Sequence, residues 1–178
     1  MSREWLRLER VRRGDWYDEY RRLRHAIFVD EQGWQGLSAP GEPGLTPADP
    51  ADVCAWFWIA RDRRGTLVGV VRVVPAQSAF PHEELFARHL AEPSMHAMRG
   101  RLGSLNSLAV DAAWRRRECV DERGCTGTAA ALLLQRCVAE CPGVGIAAMV
   151  APRGRWRVVG LPAAHVIAEA VRFCFPFG

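Results

Sequence analysis

Residues 54–75 read CAWFWIARDRRGTLVGVVRVVP. Two apolar runs rich in aromatic and β-branched residues flank the turn Asp62-Arg63-Arg64-Gly65, the pattern of an antiparallel hairpin. Downstream, LGSLNSLAV at 102–110 reads as another strand, and TAAALLLQRCVAEC at 128–141 as a helix stopped by Pro142-Gly143. GIAAMVA at 145–151 is a further buried strand, so this strand–helix–strand unit calls for parallel pairing. Upstream, residues 4–11 supply a first strand with Trp5, Leu6 and Leu8 as apolar members. A helix is expected from Trp16 to about Val29, N-capped by Asp15, with Trp16, Tyr20, Leu23, Ile27 and Phe28 at helical spacing. The Gly- and Pro-rich run 32–52 is a long loop, of a length that in compact domains is often functional or disordered. A short helix is expected at 82–90, irregular chain at 91–101, and a polar loop at 112–127. The tail from 155 onward mixes strand and loop signals. The order β-α-loop-β-β-α-β-α-β-tail over 1–178 is that of a single α+β domain with a mixed sheet.

Composition narrows the chemistry. The 178 residues are 49% hydrophobic and 25% charged, which gives one core and excludes wholesale disorder. No stretch approaches the ~20 apolar residues of a membrane span. The opening MSREWLRLERVRRGDW lacks an apolar secretory core, so a cytoplasmic protein with no membrane partner is expected. All 24 basic residues are arginine, which removes lysine nucleophiles and Schiff bases. A net charge of +4 permits an anionic ligand without demanding nucleic acid. Six cysteines without a CxxC pair read as small buried hydrophobes plus a loop thiol or two, in preference to a zinc site. His82, His89 and His96 cross from a helix into a loop, and no metal is expected. No P-loop or dinucleotide-binding fingerprint is present.

The run LRHAIFVDEQGW, Leu23 to Trp34, resembles the N-terminal motif of acyl-homoserine-lactone synthases, with Arg24, Phe28 and Trp34 at its characteristic positions. These synthases are a branch of the GNAT (N-acetyltransferase-like) superfamily, whose element order the whole chain also resembles. Asp49-Pro50-Ala51-Asp52 before the aromatic strand is similar to the family's paired aspartates, and Arg72 to the arginine of the following strand. Phe86 matches an aromatic near the acyl-chain region, and LNSLAVD resembles the central strand and its exit. The resemblance spans roughly residues 5–150. It implies a GNAT-like, mostly antiparallel mixed sheet flanked by helices, with a shortened C-terminal region. It also implies an acyltransferase whose donor is acyl-coenzyme A or the acyl-phosphopantetheine of a carrier protein. The acceptor it implies is S-adenosylmethionine or another amino acid. One departure stands out. Those synthases carry a glutamate on the central strand and an arginine three positions on, where this chain has Ser104 and Ser107. The glutamate is associated with deprotonating the attacking amine, so its absence bears on the lactone-forming step.

On this reading Arg24, Phe28, Trp34, Asp49, Arg72, Phe86 and Ser107 contact substrate, and Ser104, Asn106 and Asp52 act in catalysis. Leu108, Val110, Arg115, Arg116, Gly124, Thr126 and Gly127 bind the donor through open strand N–H groups, phosphate contacts and a loop before a helix. Plainer roles stand beside these. Arg24 pairs with Asp30 or Glu31, Trp34 anchors a loop, the aspartates cap turns, the arginines at 115–117 are solvated, and the β-strand polars are simply satisfied. Arg72 alternates with Val71 and Val73, so it faces away from them, toward a carboxylate such as Asp49 or Asp52. Two other functions compete: a GNAT-like ligand- or partner-binding domain that has lost catalysis, and an aminoacyl-tRNA-dependent transferase, whose RNA binding would be steeply salt-dependent.

Overall fold

The computed structural model describes residues 3–76, 93–97, 99–152, 164–167 and 170–174. Among them are nine strands: β1 (Glu4–Val11), β2 (Trp56–Arg61), β3 (Leu67–Pro75), β4 (Leu102–Val110), β5 (Cys119–Asp121), β6 (Thr126–Gly127), β7 (Ala148–Pro152), β8 (Ala164–Ile167) and β9 (Ala170–Cys174). The α-helices are α1 (Tyr17–Arg24), α2 (Pro93–Ala97) and α3 (Ala129–Glu140). The strands form one sheet in the order β6-β5-β1-β2-β3-β4-β7-β9-β8. Strands β1 to β4 pair antiparallel in succession, while β1 with β5 and β4 with β7 are parallel. This is the mixed, mostly antiparallel α+β sheet expected. No helix among the described residues is long and apolar enough to cross a membrane.

Alternation along the central strands explains the layers. Phe57, Ile59, Val70, Val74 and Ala109 pack beneath α1 against Tyr20 and Leu23. Trp58, Ala60, Val71, Val73 and Leu105 face the other way, onto Leu132, Leu133 and Cys137 of α3. Strand β3 is buried along nearly its whole length because both faces are covered. Cys119, Cys137 and Cys141 are buried and Cys54 and Cys125 exposed, as small hydrophobes and loop thiols.

Several local expectations are corrected. The first helix is N-capped at Trp16, with no side-chain cap, so Asp15 does not serve. Its α-form ends at Arg24 and continues as a π-helix over His25–Glu31, where i→i−5 bonds such as Gln32 N–H to Ile27 O widen the turn. Hydrophobic spacing alone does not reveal that switch. The loop expected at 112–127 contains the β5–β6 hairpin, which extends the sheet beyond β1. Asp121 makes it possible, because its carboxylate accepts the N–H groups of Arg123 and Cys125 around the turn. The stretch 91–101 holds α2 and a 3₁₀ turn at Arg99–Arg101. The loop 32–52 carries 3₁₀ turns at Gln35–Leu37 and, at its end, Pro50–Val53. The later helix begins after Thr128, whose side chain caps it by accepting Ala131 N–H. The helix expected at 82–90, with Phe86, His82 and His89, and residues 153–163 lie outside the described residues.

Two features of β4 position the site. Arg72 pairs with Ser107, but Val73 pairs with Leu105, which leaves Asn106 as an extra residue, a β-bulge. An uninterrupted strand would turn Ser104 and Ser107 to opposite faces. The bulge returns both to the α1 side, opposite Val74 and Arg72. The second feature is the limited pairing of β4 with β7, which covers only Leu102–Ser104. Beyond Ser104 this edge of β4 has no strand partner among the described residues. Leu133 of α3 packs over Gly69, opposite Val110, while the end of α3 leads to β7 beside Leu102. The N-terminus of α3 therefore lies toward the end where β4 runs unpaired.

Gly103 sits where β4 is pressed hardest. A Cβ there would fall 2.6 Å from Val73 Cγ1 and 3.1 Å from Ile146 Cγ2, both on branched, buried side chains. Gly103→Ala is expected to destabilise the protein by about 1–3 kcal/mol through overpacking. Urea unfolding checks this, and an unchanged midpoint contradicts so close an approach.

Candidate active site

The face of the sheet beneath α1 carries a buried arginine, Arg72, at its centre, with the buried serines 104 and 107 beside it. Arg72 Nε lies 2.6 Å from Asp52 Oδ1, and Nη2 lies 2.7 Å from Asp49 Oδ2. Asp52 is fully buried, and its other oxygen accepts the Tyr17 hydroxyl. Asp49 is half-buried. It caps the 3₁₀ turn Pro50–Val53 through Ala51 N–H at 2.9 Å and, as expected from alternation, also meets Arg72. The turn-capping and charge-pairing readings of Asp49 therefore hold together. Asp52 has both oxygens engaged, so it anchors Tyr17 and Arg72.

The electrostatics of the two aspartates diverge. Burial pushes Asp52 up, and Arg72 and Tyr17 only partly draw it back, so it sits above the usual carboxylate value. Burial also pushes Asp49 up, but Arg72 and the Ala51 N–H outweigh this, and it sits below. Tyr17 and Tyr20 are both raised, chiefly by burial, with Asp52 adding to each. Burial lowers the Arg72 pKa, yet Tyr20, Asp52 and Asp49 more than offset it and hold the guanidinium charged.

Around this cluster lie polar groups without partners. Arg24 Nε and Nη1, Ser104 Oγ and Asn106 Oδ1 are buried and accept or donate no hydrogen bond among the described residues. Arg24 stands over the Tyr20 ring at 5.3 Å. Neither Asp30 nor Glu31 takes Arg24: Asp30 faces His25 at 3.3 Å, and Glu31 pairs with Arg115 at 2.6 Å. Ser107 sits beside the Tyr20 hydroxyl. Tyr17 and Tyr20 are the site residues that sequence reading missed. Tyr17 lies seven and Tyr20 four residues before Arg24, in helical register on the face turned toward Arg72, and that shared face is the signal that points to them. Phe28 and Trp34 stack with ring centroids 5.3 Å apart and planes at 9°, Trp34 remaining 55% exposed at the rim.

The expected donor-binding residues divide. Leu108 and Val110 lie on the stretch of β4 beyond its pairing with β7. Arg115 is engaged by Glu31 and by Val110 O at 2.8 Å, which ties the exit of β4 to the π-helix. Arg116 is exposed. Gly124 has φ +82° at the hairpin turn and donates its N–H to Asp121 O, so its amide is used within the turn. Thr126 and Gly127 are paired in β6. No cluster of three or more His, Cys, Asp or Glu residues among those described is placed to hold a metal ion.

The acetyltransferase (GNAT) domain family matches residues 23–122, and the chain belongs to that family. Among solved structures, the coenzyme A-dependent acyl-homoserine lactone synthase BjaI, with SAM and isopentyl-CoA, superposes with a TM-score of 0.59. It shares 20% identity over 95% of this chain and 82% of its own. TofI, in a ternary complex with an inhibitor and MTA, gives 0.59 at 17% identity over 96% of this chain and 91% of its own. A GNAT acetyltransferase from Staphylococcus aureus Mu50 gives 0.52 at 10% identity over 94% and 98%. At these identities the likeness establishes the fold. No curated protein matches the chain in sequence.

Removing the cation should be worse than removing the whole cluster. Arg72→Ala leaves Asp52 buried and uncompensated, and a loss of about 3–5 kcal/mol is expected. Arg72→Met combined with Asp52→Asn should recover part of it, as read by urea unfolding. The tyrosines set an alkaline limit. Their folded pKa values lie above the ordinary value of 10.0, so the unfolded chain releases protons first as pH rises past 10. Stability should fall above that pH, and Tyr17→Phe should flatten the decline in a pH series of thermal melts.

Proposed function

We propose that this chain is an N-acyltransferase that moves an acyl group from a carrier thioester to the amine of a small acceptor. The observation that carries the reading is β4: bulged at Asn106 and unpaired with β7 beyond Ser104, in a chain of the GNAT family. An unpaired strand edge offers backbone N–H and C=O groups to the amide-rich pantetheine arm, as an added strand would. The N-terminus of α3, toward the same end, carries the positive end of the helix dipole for a phosphate.

In this reaction the neutral amine attacks the thioester carbonyl carbon, the C–S bond breaks, and the thiolate takes up the proton that the new amide releases. The protein aligns the partners and excludes water. Arg72, Asp49 and Asp52 fasten the acceptor loop to the sheet. Phe28 and Trp34 supply a flat apolar wall at the rim, suited to an adenosyl or acyl group. Ser104 and Asn106 lie beside the bulge, where a carbonyl oxygen or a relay water needs a hydrogen-bond partner. The donor is acyl-coenzyme A or an acyl-carrier protein. The acceptor is S-adenosylmethionine or another amino acid, a choice supported by the ligands bound in the BjaI structure.

The test is intact-mass detection of product from acyl-coenzyme A and acyl-carrier donors with S-adenosylmethionine and a pool of amino acids. An N-acyl product is expected. Arg24→Ala should lower kcat/KM by about 10²-fold, the equivalent of about 3 kcal/mol lost with a charged contact. Trp34→Ala should lower it by about tenfold while circular dichroism stays unchanged. No product from any pair overturns the proposal, and near-normal turnover in both variants removes the roles of these residues.

A further inference from the structure

Arg115 is expected from the sequence to bind the donor, yet it has partners within the protein. Its Nε donates to Val110 O at 2.8 Å, at the end of β4, and its Nη1 lies 2.6 Å from Glu31 Oε2. Glu31 is the last residue of the π-helix. Its neighbour Asp30 turns back to His25 of the same helix at 3.3 Å, while Glu31 reaches out to the sheet. The π-form is rare, so a contact from outside the helix weighs in its balance against the α-form. That balance sets where Trp34 lies. Gly33 has φ +73°, the left-handed conformation that turns a chain back at a helix end. After an α-helix, the residue following such a glycine donates its N–H to the carbonyl five residues back, which for Trp34 is Val29 O. Here Val29 O takes Gly33 N–H at 3.0 Å, and Trp34 N–H goes one residue farther back, to Phe28 O at 2.8 Å. Gln32 N–H has moved to Ile27 O at 3.2 Å, the π-type bond that leaves Phe28 O for Trp34. With its backbone tied to Phe28, Trp34 lays its ring parallel to the Phe28 ring. The indole is exposed, so packing alone does not fix it.

We propose that Arg115 is a positioning residue: through Glu31 it holds the π-form of His25–Glu31, and through that form the Phe28–Trp34 wall, in place of binding the donor's phosphate. The proposal rests on the acyltransferase reading for the substrate that the wall meets, and on geometry alone for how the wall is held. The guanidinium suits the task because its planar fork grips two acceptors at once, one on the strand and one on the helix. Its hold on Val110 O puts the anchor on β4, so the strand offered to the donor and the aromatic wall share one fastening. The two side chains are 37% and 32% exposed, which keeps the strength of the pair to the few-fold range of a partly solvated ion pair. A few-fold bias is enough to matter where a rare helical form competes with a common one.

Glu31→Gln tests this in the intact, ligand-free protein, since it removes the charge and keeps the shape. Hydrogen exchange should quicken about two- to fivefold at the amides of Gln32, Gly33 and Trp34, while the amides of β3 stay as they were. With fluorotryptophan incorporated, and Trp34 assigned from Trp34→Phe, the Trp34 fluorine resonance should move toward that of free indole. Arg115→Met should act in the same direction, and adding Glu31→Gln to it should change nothing more, because the two side chains form one contact. In turnover, both single substitutions should raise the same KM, that of the substrate the wall meets, by about two- to fivefold. Unchanged exchange with an unmoved Trp34 resonance overturns the proposal, and so do additive effects of the two substitutions. A donor KM that rises with Arg115→Met but not with Glu31→Gln assigns Arg115 to the phosphate and overturns it as well. The ligand-free readouts need no turnover. A displaced Trp34 in a protein that yields no acyl product therefore sinks the proposed function and keeps this inference, and acyl transfer with Trp34 unmoved does the reverse.

Discussion

The buried guanidinium of Arg72 is the interaction on which the arrangement beneath α1 depends. A cation in the middle of an apolar sheet face is strongly disfavoured unless carboxylates come to it. Asp49 and Asp52 do so, and because they sit at the end of a long Gly- and Pro-rich loop, meeting Arg72 fastens that loop to β3. Tyr17 completes the set from α1, so helix, loop and strand converge on one charge. Arg21 adds a second anchor farther back, donating to Thr46 O at 2.7 Å and pairing with Glu42. A loop of this composition would otherwise lose more conformational entropy on ordering than its few apolar contacts return.

The opposite face has its own buried cation, used differently. Arg136 of α3 meets Asp121 at 3.3 Å, Glu122 and Glu140, which ties the β5–β6 hairpin to the helix. Trp58 and Arg123 converge on Glu140 as well. That cluster is closed, with carboxylates enough for every arginine. The α1 face is not: Arg24, Ser104 and Asn106 keep unmet groups beside a strand that parts from its neighbour. The contrast between a satisfied structural network and an unsatisfied one marks the face where a ligand belongs.

Much of this was legible in the residues. The boundaries of β1 and β4 follow the apolar runs at 4–11 and 102–110, and the β2–β3 hairpin follows from its turn. The direction of Arg72 follows from strict alternation between Val71 and Val73, and so does its meeting with a carboxylate. The β5–β6 hairpin was not legible. Its strands are too short to show a period, and they exist because Asp121 closes the turn and β1 offers an edge. The π-form of His25–Glu31 was hidden for a similar reason, since a hydrophobic stripe of seven residues does not distinguish hydrogen bonds that reach one residue farther back.

What the sequence by itself determined is the inventory: one α+β domain, arginine as its only basic residue apart from histidine, an acidic pair at the end of a loop, and serines at 104 and 107. Only the tertiary structure decided how the inventory is divided. Which carboxylate takes which arginine depends on distances between elements far apart in the chain. So Asp52, expected to act in catalysis, is held by Tyr17 and Arg72, while Arg24 is left free of Asp30 and Glu31. Likewise, one unpaired residue in β4 brings Ser107 to the face of Ser104, because side-chain direction in a strand is set by register with its neighbour and not by sequence spacing alone.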